Sequence, residues 1–133
     1  DNYNIKSNEI AICFRSFNEI ENPRRIKWDY YQKCIAELEK KYGDLTLHVF
    51  TDNESFVKNY YKGLKKYNCI FKYNKNNTIK TLILLSKYKK IIISNGTFHW
   101  WGAYINDEEK IVFAPYRKNN DKYYPKYWNI INE

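Results

Sequence analysis

Short apolar runs alternate along the chain with longer stretches of helical periodicity. Ile10 to Arg15 is strand-like, and from Ile26 to Tyr42 the residues Ile26, Tyr30, Cys34, Ile35, Leu38 and Tyr42 recur at helical spacing, with Gly43 as a stop signal. Leu45 to Thr51 reads as a second strand, after which Asp52 or Asn53 caps a helix holding Phe56, Val57, Tyr60, Tyr61 and Leu64. Asn68 to Tyr73 is a weaker third strand. The segment Lys75 to Asn77 is a polar turn, followed by a helix from Thr78 to Lys87 built on Ile79, Leu82, Ile83 and Leu85. Lys90 to Ser94 and Lys110 to Ala114 are the fourth and fifth strands, and Asn119 to Tyr127 is irregular and polar. This alternation predicts an α/β fold, a parallel sheet of about five strands with helices on both faces.

Residues 1–133 suffice for a single domain with one buried sheet. The formal charge of +8, from 23 Lys and Arg against 15 Asp and Glu, favours an anionic ligand without identifying it. Most of the abundant aromatics fall at core-periodic positions, so no nucleic-acid partner is expected. Cys13, Cys34 and Cys69 are odd in number, widely spaced and set in apolar segments, which suits reduced thiols and a cytoplasmic location. No signal-peptide pattern and no apolar run long enough to span a bilayer is present, so no transmembrane segment is expected.

The most informative stretch is Ile91-Ile92-Ile93-Ser94-Asn95-Gly96-Thr97-Phe98-His99-Trp100-Trp101-Gly102-Ala103-Tyr104. A buried strand, a tight turn and a helix start expose backbone N–H groups at the positive end of the helix dipole, a seat for a phosphate or diphosphate. Open parallel sheets bind ligands at the carboxyl ends of their strands. Those ends carry Cys13-Phe14-Arg15-Ser16, Phe50-Thr51-Asp52-Asn53, Ser94-Asn95-Gly96-Thr97 and Ala114-Pro115-Tyr116-Arg117. An arginine, a carboxylate and a glycine turn on one edge suit a nucleoside diphosphate.

The run from Ser94 to Tyr104, with Lys110-Ile111-Val112-Phe113-Ala114-Pro115 after it, resembles the signature of the α-1,2-fucosyltransferases, Asn-Ser-Ser-Phe-Ser-Trp-Trp-Gly-Ala and a downstream Ala-Pro. Phe50-Thr51-Asp52-Asn53 is similar to that family's strand ending in Ser/Thr-Asp-Asp, and Tyr124-Pro125-Lys126-Tyr127-Trp128 to its closing motif. The resemblance covers nearly the whole chain. It implies the Rossmann-like donor domain of a GT-B-like, inverting enzyme that moves fucose from GDP-fucose to a glycan hydroxyl, with the acceptor-side domain absent from this chain or supplied by a partner.

Cys13, Arg15, Asp52, Asn95, Gly96, Thr97, Phe98 and His99 are the implied contacts to the GDP-sugar. The family's first motif, His-x-Arg-Arg-Gly-Asp, falls on Cys13 to Asn18, where Arg15 is kept while Ser16 and Asn18 replace Arg and Asp. Arg15 then grips the diphosphate, and its guanidinium fork offsets the charge on departing GDP. Arg24, Arg25 and Arg117 are the nearest candidates to make up for the missing arginine. The acceptor hydroxyl needs a base, for which Glu19 and Glu21 are nearest, both also readable as solvated carboxylates. Asp52 reads as a nucleotide contact or a helix cap, and His99 as a donor ligand or a structural imidazole. Trp100 and Trp101 read as packing residues. With no Asp-x-Asp sequence and no cluster of metal-type ligands, no metal or other cofactor is expected.

Overall fold

The computed structural model describes residues 4–16, 25–73, 76–105, 109–117 and 123–132. Within them the chain runs β1 (Glu9–Phe14), α1 (Trp28–Tyr42), β2 (Thr46–Thr51), α2 (Glu54–Tyr60), a 3-10 turn (Lys62–Lys66), β3 (Asn68–Phe71), α3 (Thr78–Ser86), β4 (Lys90–Ile92), α4 (Thr97–Tyr104), β5 (Ile111–Pro115) and β6 (Asn129–Ile131). The strands pair in parallel in the order β3-β2-β1-β4-β5-β6. That is the doubly wound order, whose direction reverses between β1 and β4.

Strand alternation separates two cores. Ile10, Ile12 and Phe14 of β1 join Leu47 and Val49 of β2 beneath α1 and α2, with Tyr30, Tyr31, Cys34 and Ile35 closing that side. Ala11, Cys13 and Phe50 face the other side, against Leu85 of α3 and Ala103 of α4. Because both faces are covered, the central strands are continuously apolar rather than alternating, as the burial along β1 and β2 shows.

Two neighbouring tyrosines of α1 tie the carboxyl ends of three strands together. The buried Tyr30 hydroxyl lies 2.6 Å from the Ile93 carbonyl and 2.9 Å from that of Phe113, and Tyr31 donates to the Cys13 carbonyl at 2.7 Å. On the opposite face α3 and α4 touch closely. A methyl group on Gly102 would sit 2.3 Å from Leu85 Cδ2, so the glycine of the Trp-Trp-Gly-Ala run is where one helix backs onto the other. Buried Lys110 closes both helices, donating to the carbonyls of Ser86 at 2.8 Å and Ile105 at 2.6 Å, with Gly102 and Ala103 at 3.4 Å. A cation at two helix C-termini is favoured by the orphan carbonyls and the dipole.

The expected α/β fold is present, with three differences in detail. The sheet has a sixth strand, Asn129–Ile131, short and half exposed, which exists only through its pairing with β5. The helix after β2 stops at Tyr60 and continues as a 3-10 turn, in which Gly63 lies so close to Trp28 that a Cβ would fall 2.5 Å from its ring. Trp101 does not fill the core; it is half exposed, edge-on to Trp100. All three cysteines are free thiols, Cys13 and Cys34 buried and Cys69 half-buried.

Candidate functional site

The turn after β4 is held from beneath. Ser94 is buried, and its Oγ lies 2.7 Å from Nδ1 of His99, one turn into α4. Burial, and secondarily the nearby Arg15 charge, holds the His99 imidazole down to about 3, so the ring is neutral near pH 7. Gly96 is the N-cap of α4, and its carbonyl accepts the first helical bond, from Trp100 N at 3.1 Å. The N–H groups of Thr97, Phe98 and His99 precede any intrahelical acceptor. Gly96 offers no side chain to cap them, and no acidic residue occupies the first turn. An anion suits this end of the helix.

Arg15 and Ser16, consecutive after β1, reach the strands on either side. The Arg15 side chain lies across Gly96: a methyl group there would sit 2.6 Å from Arg15 Cδ and 3.1 Å from Nη1. Ser16 is buried and donates to Asp52 Oδ1 at 3.4 Å. The carboxyl ends of β2, β1 and β4 are therefore joined side by side at the reversal point of the sheet. Arg15 and Asp52 are both exposed there. The capping role falls to Asn53, whose side chain accepts from Phe56 N at 3.0 Å, so Asp52 is not the cap of α2.

Beside the turn, toward β5, opens a cavity of about 400 Å³ lined by Ile93 to Thr97 together with Trp100, Tyr123 and Tyr124. Trp100 forms one wall: its ring stacks on Tyr104, and its Nε1 donates to the Tyr123 carbonyl at 3.1 Å. Tyr124 is tethered by its hydroxyl to the Pro115 carbonyl at 3.0 Å. Sequence reasoning placed Trp100 in packing and gave Tyr123 and Tyr124 no site role. The one available signal was the position of Tyr124 in a closing motif far along the chain.

The structure brings Arg15, Asp52, Asn95, Gly96 and Thr97 to one rim and sets two expected residues apart from it. Cys13 is wholly buried among Ala11, Phe50 and Leu85, where burial pushes its thiol well up, so its side chain is not available to a ligand at the rim. His99 serves as a neutral latch on Ser94, with its ring buried beneath the turn. Phe98 is half-buried against the second core. Arg25 is buried, its guanidinium 4.3 Å from the Phe56 ring centre and 5.2 Å from that of Tyr60, a cation–π stack on α2. Arg117 donates to the neighbouring Tyr116 carbonyl. Asn18, Glu19, Glu21 and Arg24 lie outside the described residues. Among the described residues no three His, Cys, Asp or Glu side chains gather as a metal site. No described helix is long and apolar enough to cross a membrane.

Comparison with known proteins adds a separate line of support. The chain is 31% identical over 116 residues to the O-antigen biosynthesis glycosyltransferase WbnK of Escherichia coli, a match spanning 82% of this chain and 38% of that protein. It is 27% identical over 117 residues to an alpha-1,2-colitosyltransferase of Escherichia coli, spanning 82% of this chain and 40% of the relative. The chain thus corresponds to roughly two fifths of each relative's length. The family model for glycosyl transferase family 11 matches residues 26–132. A doubly wound sheet whose glycine turn and arginine meet at its reversal point, joined to a family match across most of the sequence, places this chain in glycosyl transferase family 11.

Proposed function

We propose that this domain binds the diphosphate of a GDP-linked sugar, GDP-fucose in the first instance, and serves its inverting transfer to a glycan hydroxyl. The observation that carries the reading is the Arg15 side chain lying across Gly96 at the start of α4. A guanidinium and a row of helix N–H groups on one rim face the diphosphate oxygens together, and they bind it more strongly as charge develops on departing GDP. This transfer uses no divalent cation. Asp52, free of capping and next to Ser16, contacts the nucleoside side of the donor. The acceptor proton passes to a carboxylate, Glu19 being the sequence candidate, and the acceptor itself is held by a unit outside this chain.

Calorimetry with GDP, GDP-fucose, GDP-mannose and UDP tests this, with and without EDTA. Saturable binding of the guanosine ligands, unchanged by EDTA and weakened about 10- to 150-fold by Arg15→Ala, is expected from the loss of one charge-assisted contact of about 1.5–3 kcal/mol. Absence of binding by the folded protein, or equal binding of UDP, refutes it. A second reading, a sugar-nucleotide-binding module without transfer activity, is favoured by one observation: buried Ser16, bonded to Asp52, stands where the family's second arginine is expected. Donor binding with no transfer to any glycan acceptor, even when the acceptor-side half of a relative is supplied, would select it.

A further inference from the structure

The two ends of a sugar nucleotide stand at different distances from its diphosphate. The hexose is joined to the outer phosphate through a single oxygen, whereas the base is set off from the inner phosphate by a whole ribose. The rim offers two places that differ in the same way. The cavity beside the turn shares Asn95, Gly96 and Thr97 with the start of α4, so a group bonded to a phosphate held there enters it directly. Asp52 lies past Arg15 on the other side, at the end of β2 and two strands from β4, about 10 Å at the usual strand spacing. A carboxylate at that remove suits the N–H edge of guanine, and the cavity is left for the hexose.

The walls of the cavity are fixed and their polar atoms are taken. Trp100 gives its Nε1 hydrogen to the Tyr123 carbonyl at 3.1 Å and stacks on Tyr104, while Tyr124 gives its hydroxyl hydrogen to the Pro115 carbonyl at 3.0 Å. Buried Trp128 backs both rings, 5.9 Å from each. With those donors engaged, the two half-buried rings line the cavity with carbon. The turn brings the polar side chains Asn95 and Thr97, and Ser94 is held by His99. A base, polar along its edge, would lose hydrogen bonds against such walls. A pyranose can turn its hydroxyls to the turn and its C–H groups to the rings. A methyl group at C6 then leaves no polar atom stranded, whereas a C6 hydroxyl facing the rings would lack a partner.

We propose that this cavity is the hexosyl subsite of the donor and that Trp100 and Tyr124 select a 6-deoxyhexose by packing its C6 methyl group. The inference rests on the diphosphate reading of the rim and deepens it, assigning two residues to the choice of sugar.

Calorimetry with GDP, GDP-fucose and GDP-L-galactose tests it, the last two differing by one hydroxyl on C6. A preference of the parent for GDP-fucose over GDP-L-galactose by roughly 10- to 100-fold is expected. Trp100→Leu and Tyr124→Leu should each cut that ratio by about fivefold or more while GDP affinity stays within about twofold. Circular dichroism checks the fold of each variant. Saturation-transfer NMR on the parent should put the strongest sugar signal on the C6 methyl protons, a contact that stands even where a variant fails to fold. A parent that binds GDP yet treats both sugars alike overturns the subsite. So do variants that weaken GDP and GDP-fucose to the same degree, which would put the nucleoside in the cavity. No GDP binding by the folded parent removes the diphosphate reading itself, and the subsite with it.

Discussion

Replacing Gly96 with alanine separates folding from donor binding at the centre of the site. Gly96 has φ −107° and ψ 150°, ordinary extended backbone that alanine adopts without strain. The three atoms nearest its Cβ would all belong to Arg15, with Cδ at 2.6 Å and Nη1 at 3.1 Å. Carbon–carbon contact needs about 3.5 Å or more, so the arginine must retreat by roughly 1 Å or swing to another rotamer. Arg15 is exposed, which makes that movement cheap for the fold. Restricting the unfolded chain offsets the rest, leaving stability within about 1 kcal/mol of the parent. Binding responds differently, because the guanidinium no longer lies over the turn. Loss of one charge-assisted contact weakens GDP by about 10- to 150-fold. Urea unfolding and calorimetry on the same preparation read both quantities. Unchanged GDP affinity in Gly96→Ala, alongside a large loss in Arg15→Ala, would show that Arg15 acts away from the turn and refute the shared-rim argument.

Lys110→Met should cost about 2–4 kcal/mol, since short bonds to the ends of α3 and α4 are lost while the ammonium's desolvation penalty is also relieved; a chemical-denaturation change below about 0.5 kcal/mol would contradict the capping role. Tyr30→Phe leaves the Ile93 and Phe113 carbonyls without their buried hydroxyl, and a loss of about 1–3 kcal/mol with faster amide exchange at the ends of β4 and β5 is expected. His99 gives the domain an acid-sensitive limb: its imidazole is held near 3 in the fold against about 6.5 in the unfolded chain, so below pH 6.5 unfolding takes up a proton and stability falls toward pH 3. The stability gap between the parent and His99→Gln should therefore narrow on acidification from pH 7 to 4.5 in urea titrations, and a constant gap would exclude the effect.

Local chemistry made most of the elements legible. Helical spacing from Ile26 to Tyr42 marked α1, Asp52 or Asn53 offered a cap for α2, and the run Ile91 to Ile93 followed by small polar residues marked a buried strand and turn. Such signals depend on neighbours a few residues apart, which is why they survive in a sequence read alone. The motif residues also marked Arg15, Asp52 and the Gly96 turn as belonging to one edge before any distance was known. Strand order was not legible, because pairing between β1 and β4 joins residues some eighty positions apart. Tertiary structure alone decided that Arg15 crosses Gly96 while Ser16 turns to Asp52, that His99 and Cys13 are buried, and that Tyr123 and Tyr124 enclose a cavity beside the turn. The polarity of a residue is written in its side chain, but whether that side chain faces solvent, a core or a neighbouring strand depends on how distant segments pack.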